Sequence, residues 1–130
     1  MSVELNHTIV HSLNDLESAK FLAGLLDLEV GDRMGPFIPV TTANGVTLDY
    51  ATVPAEDITT QHYAFLVSED VFDKAHARIK EAGLTYYADP HRTRVNEINH
   101  NHGGRGLYFE DPSGHYMEIL TSPYGTPAAS

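Results

Sequence analysis

A chain that runs twice through the same order of elements has few ways to fold, and this one does so within 130 residues. Residues 4–11 (ELNHTIVH) read as a short strand. Asn14-Asp15-Leu16-Glu17 follows as a helix start, with a cap residue and acids in the first turn. Leu16, Ala19, Leu22, Ala23 and Leu26 then form one apolar helical stripe. Beyond Gly31 the pattern turns to strand: Phe37 to Thr42, the hairpin signal Asn44-Gly45, and Val46 to Val53. The second half repeats the order. Gln61 to Val67 is a strand, and Ser68 caps a helix carrying Val71, Phe72, Ala75, Ile79 and Ala82 that Gly83 ends. Leu84 to Tyr87, an irregular stretch near 88–104, Gly106 to Glu110, the turn Asp111-Pro112-Ser113-Gly114 and His115 to Thr121 complete it. The expectation is one α+β domain over 1–130, made of two βαβββ modules at about 4–53 and 60–122.

Chemistry-bearing residues repeat with the elements. His7 sits on the first strand of one half and His62 on the first strand of the other. Each half ends with a carboxylate between apolar residues, Leu48-Asp49-Tyr50 and Met117-Glu118-Ile119. A pseudo-twofold axis would bring the two histidines and two carboxylates together. The halves share a pattern rather than identity, and an α+β sandwich without duplication would give a similar string. Glu118 is the sharper signal of the two acids, since a charge in an apolar strand is costly unless paired, hydrogen-bonded or metal-bound.

Composition narrows the chemistry. There is no cysteine, so disulfides, thiolate zinc sites and a cysteine nucleophile are excluded, and the eight histidines are the remaining soft ligands. Eighteen acids against eight bases give a formal charge of −10, a surface that repels phosphate backbones. Nucleic acid is therefore not an expected partner. No apolar run approaches the roughly 18 residues that a membrane span needs. The opening MSVELNHTIV has no basic region followed by an apolar stretch, so no signal peptide is expected and the cytoplasm is the expected location.

Over about residues 4–122 the pattern resembles the vicinal oxygen chelate superfamily, which includes glyoxalase I, fosfomycin-resistance thiol transferases, bleomycin-binding proteins and extradiol dioxygenases. The resemblance implies that each βαβββ module curls as a mixed sheet into a cup, the glyoxalase/bleomycin resistance/dioxygenase fold. Paired cups would enclose one divalent metal per chain, with His7, His62 and Glu118 as protein ligands. Ile98-Asn99-His100, followed after six residues by Leu107-Tyr108-Phe109-Glu110-Asp111-Pro112-Ser113-Gly114 and then Glu118, is similar to the extradiol ring-cleavage signature. By that resemblance His100 and Tyr108 border the substrate as catalytic candidates. Asp49 stands where glyoxalase I has a glutamate ligand. Being one methylene shorter, it is a fourth ligand, a hydrogen-bond partner that orients a ligand histidine, or a contact to ordered water.

Two histidines and one carboxylate leave coordination positions open. That suits Fe(II), because a chelating substrate and dioxygen can bind side by side; Mn²⁺, Ni²⁺ or Zn²⁺ acting as a Lewis acid would also fit. The leading expectation is an Fe(II) extradiol-type dioxygenase acting on a small catechol-like aromatic, with a homodimer as the assembled form. The alternatives are a glyoxalase-like isomerase or thiol transferase, and a non-catalytic antibiotic-binding resistance protein. Thiol transferases of the fosfomycin type commonly use a loop lysine, and residues 88–104 contain none. His100, His102, Asn99 and Asn101 read either as an exposed polar loop or as the place of a general acid–base group. Gly103 to Gly106 reads as a tight approach to the next strand rather than an anion cradle. Arg92, Arg94 and Arg105 read as substrate-carboxylate binders or solvated side chains, and Tyr63 and Tyr124 as packing or rim residues. No role is expected for His11, His76, His91 or His115. The tail after Tyr124 is expected to be disordered.

Overall fold

A computed structural model describes residues 2–125 in two compact units, 1–59 and 60–130. The expected tail falls, from Thr126 on, outside the described residues. The first unit runs β1 (His7–Ser12), α1 (Asp15–Leu26), β2 (Ile38–Thr41) and β3 (Thr47–Thr52). The second runs β4 (His62–Leu66), α2 (Glu69–Glu81), β5 (Tyr86–Tyr87), β6 (Gly106–Glu110) and β7 (Tyr116–Leu120). The architecture is α+β with two mixed sheets, as expected.

In the first unit the strand order is β1-β3-β2, with β1 parallel and β2 antiparallel to β3. A fourth strand does not form here. Its place is taken by the single bridge Val30–Val40, with the Gly31 N–H donating to the Pro39 carbonyl at 2.9 Å. Past Val30 come Gly31 and Asp32, both of low strand propensity, and the pairing does not extend. Helix α1 starts where the Asn14 side chain accepts from the Glu17 N–H. It buries Ala19, Leu22, Ala23 and Leu26 against β2 and β3, whereas Leu16, expected in the stripe, is exposed. At its first turn the Arg33 guanidinium forks onto both Asp15 oxygens at 3.0 Å and holds that carboxyl below its ordinary value.

In the second unit the order is β4-β7-β6-β5, with β4 parallel to β7 and the remaining pairs antiparallel. Strand alternation divides the sheet cleanly. Leu107, Phe109, Met117 and Ile119 lie on one face, all fully buried, as are Phe72, Ala75 and Ile79 of α2. The His76 ring of α2 meets Tyr86 of β5 edge-on at 5.0 Å. At about 1.5–3 kcal/mol for each such side chain withdrawn from water, this layer is the main stabilising term of the unit. The other face carries His62, Ala64 and Leu66 of β4, with Tyr108 of β6 and Tyr116 and Glu118 of β7. It has no helix over it, and Leu66 is 62% exposed there.

Candidate metal centre

Parallel pairing sets His62 opposite Tyr116 and Ala64 opposite Glu118, so the histidine and the glutamate lie diagonally on one face. The imidazole Nε2 stands 3.0 Å from Glu118 Oε1. Its Nδ1 lies 3.0 Å from the Tyr116 carbonyl, which can only accept, so Nδ1 carries the proton. In a neutral ring Nε2 is then a bare lone pair aimed at a carboxylate oxygen. Two acceptors do not face each other at that distance without a cation, either a proton on the ring or a metal ion between them. Two ligand atoms each about 2.1 Å from a first-row divalent ion, at right angles about it, stand about 3.0 Å apart. The spacing of His62 Nε2 and Glu118 Oε1 is therefore that of two ligands of one metal ion. Glu118 is 2% exposed, so its charge needs such compensation.

Two tyrosines complete the surroundings. The Tyr124 hydroxyl donates to the carboxylate, 2.7 Å from each Glu118 oxygen. The Tyr108 hydroxyl lies 3.1 Å from that of Tyr124. Burial, first, then the Tyr124 hydrogen bond and the nearby Glu118 charge push the Tyr108 phenol far above its ordinary value. Tyr108 stacks beside His62 at 5.9 Å and beside Tyr116 at 5.5 Å, and the Arg92 guanidinium sits 4.6 Å above Tyr116. These flat groups stand in a row and limit how the His62 ring can rotate.

The Asp-Pro-Ser-Gly-His turn positions the centre. Asp111 Oδ1 accepts from the Ser113 and His115 N–H groups, and Gly114 takes the positive φ that the turn requires (86°). Burial raises the Asp111 carboxyl, while those N–H groups and His115 oppose the rise. His115, for which no role was expected, is buried, and its Nδ1 accepts from the Gln61 N–H at 3.0 Å. It thereby ties the residue before His62 to the start of β7. Asn99 is buried rather than part of an exposed polar loop. Its side chain donates to the Ala88 carbonyl and its backbone pairs with Gly106. His100 is exposed next to it. His102 instead packs on the Tyr124 ring at 4.8 Å. A side chain at Gly104 would meet Thr121 and Ser122, in keeping with a tight approach to β6. Arg92 is ion-paired with Glu110, Arg94 with Glu97, and Arg105 with Glu69 and Asp73.

The first unit repeats the register. His7 faces Thr47 and Ile9 faces Asp49, so His7 and Asp49 are diagonal as His62 and Glu118 are. Here the His7 ring pairs with the Asn6 side chain at 2.7 Å. The structure thus brings together His62, Glu118 and Tyr108 of the expected residues. Among the described residues no group of three His, Asp or Glu side chains is clustered closely enough to hold a metal.

Two helix-backed mixed sheets, with a histidine–carboxylate diagonal at the same register in each, define a class of small α+β proteins built by pattern duplication. The family profile described as Glyoxalase/Bleomycin resistance protein/Dioxygenase superfamily matches residues 5–119, and the chain belongs to that superfamily. Its members bind small molecules and generally use a divalent metal. The chain is similar to a solved structure called oxidase ChaP-H2, with 62% identity over 97% of this chain and 98% of that one, and a TM-score of 0.94. It is similar to oxidase ChaP-H1 at 50% identity over 95% and 99%, with a TM-score of 0.91. Among curated proteins it is 30% identical to the glutathione transferase FosA of Serratia marcescens, over 92% of this chain and 81% of that protein. No helix among the described residues is long and apolar enough to cross a membrane.

Proposed function

We propose that this protein is an Fe(II)-dependent oxygenase of the extradiol type, acting on a small catechol-like aromatic. The observation that carries the reading is the buried Glu118 carboxylate 3.0 Å from His62 Nε2, two donor atoms at the spacing of ligands to one ion. His62 and Glu118 would hold the ion, and His7, at the matching register of the first unit, is the third ligand that the family resemblance implies. Asp49, on the same sheet face as His7, would serve as a fourth ligand or as a hydrogen-bond partner of that ring. Fe(II), if bound there, would supply the redox chemistry for oxygen transfer to a chelating aromatic. Tyr108 borders the substrate. Its own proton points toward Tyr124, so its oxygen is free to accept from a substrate hydroxyl. His100, exposed on the loop, moves a proton between substrate and solvent. The likeness to two proteins called oxidases supports redox work over isomerisation.

The deciding experiment uses protein loaded anaerobically with Fe(II) and an oxygen electrode with a broad catechol panel, beside hemithioacetal isomerisation and thiol-addition assays. Oxygen uptake with at least one catechol is expected. No uptake across the panel, together with robust isomerase or transferase turnover in Ni²⁺ or Mn²⁺ protein, would overturn the reading. The 30% identity to a glutathione transferase is the observation that favours this second outcome.

The assembled form is proposed to be a homodimer. Each unit leaves one sheet face without a helix, and apolar side chains stand exposed on both, Ile9 at 48% and Leu66 at 62%. Sheet faces of this kind are normally covered. Light scattering at micromolar concentration should give twice the 14.3 kDa chain mass; a particle of one chain mass would contradict the dimer.

A further inference from the structure

We propose that Tyr124 is a positioning residue of the metal centre: its hydroxyl sits 2.7 Å from both oxygens of Glu118 and would keep an ion from binding through both. The proposal rests on the metal reading above. A carboxylate can only accept hydrogen bonds, and this one is buried, so its donors decide how it points. The Tyr124 hydroxyl lies 2.7 Å from both oxygens but has a single proton to give. Oε1 is the oxygen that faces His62 Nε2. An ion held by His62 and Glu118 would take up Oε1 and leave Oε2 as the acceptor for Tyr124.

The direction of the network follows from the same count. Tyr124 spends its proton on the carboxylate, so the 3.1 Å contact between the phenols is a donation from Tyr108 to Tyr124. Each bond in the chain from Tyr108 through Tyr124 to Glu118 polarises the next and strengthens the last. Tyr124 lies beyond β7 and is 61% exposed, so core packing does not hold it. Its neighbours do. The Gly125 N–H donates to His102 Nδ1 at 3.1 Å, and the Ser122 hydroxyl donates to the His102 carbonyl at 2.8 Å. The His102 ring packs on Tyr124 itself. The segment after the last strand is thus pinned to the turn at 101–103, with the phenol aimed at Glu118.

The chemical consequence is an open coordination position. A carboxylate free to turn can bind through both oxygens and take the place needed by a second substrate oxygen or dioxygen. Tyr124→Phe removes only the hydroxyl. With Co²⁺ alone as the probe, the variant is expected to bind about 10–100-fold more weakly than the parent, the usual effect of losing a group that orients a ligand. Its visible Co²⁺ absorption bands should also shift, because Glu118 now binds through both oxygens. If Tyr124→Phe does not fold, His102→Ala loosens the anchor while keeping the hydroxyl and should give the same band shift in smaller measure. Unchanged affinity and an unchanged spectrum would overturn the proposal. So would weaker binding with an unchanged spectrum, which would mean lost packing rather than altered denticity. If the parent itself binds no Co²⁺, the metal reading fails, and the positioning role fails with it.

Discussion

Glu118→Gln should give a folded protein that no longer retains a metal ion. The substitution keeps the volume of the side chain, and the amide oxygen still accepts from Tyr124, so the β6–β7 pairing and the buried layer behind it have no reason to change. Removing one partner of a buried pair destabilises when the other charge is left buried, but the His62 side chain is 46% exposed and stays accessible to water. What disappears is the negative charge 3.0 Å from His62 Nε2, where a bound cation would need it. Changing a group that merely orients a ligand costs about 10–100-fold in metal affinity, and removing the anionic ligand itself should cost more. His62→Ala should behave alike, through loss of the nitrogen. Metal analysis after gel filtration, with circular dichroism to confirm the fold, reads both. Parent stoichiometry in Glu118→Gln would remove Glu118 from the ligand set.

Why this pair was legible in the sequence, and Tyr124 was not, has a physical reason. Strands have a period of two, and parallel register is set by the hydrophobic pattern. A histidine at the start of β4 and a glutamate in the middle of β7 must therefore share a face once Met117 and Ile119 are placed in the core. The caps at Asn14 and Ser68 and the turn at Asn44-Gly45 are likewise local, and each stands where residue chemistry put it. Tyr124 is six residues past Glu118, in a stretch with no period, and reaches the carboxylate only because His102 holds that stretch. That contact joins two irregular segments, and no spacing rule announces it. The same holds for His115, whose bond to the Gln61 N–H spans 54 residues. The missing strand of the first unit is a quantitative matter instead. Val30 pairs with Val40, but the alternation Leu28-Glu29-Val30 stops at Gly31 and Asp32.

His100→Ala should leave metal binding intact and slow turnover by roughly 10²–10⁴-fold, the range for a general acid–base group. His100 takes no part in the hydrogen bonds that link Glu118, Tyr124 and Tyr108. Its removal therefore does not disturb the carboxylate. Its backbone is nonetheless fixed, because buried Asn99 before it pairs with Gly106 and donates to Ala88. An exposed imidazole on a fixed backbone can exchange protons with water and still be presented at a constant place, which is what a shuttle between substrate and solvent requires. His102→Ala is the informative comparison. That ring is half-buried against Tyr124, so its loss should act through the Tyr124–Glu118 contact and weaken metal binding, an effect His100→Ala should not have. Metal titration and single-turnover oxygen consumption separate the two. Full turnover in His100→Ala at parent metal content would end its assignment as the proton shuttle. A loss of turnover that appears only with a loss of metal would show that the loop supports the centre and does no proton transfer.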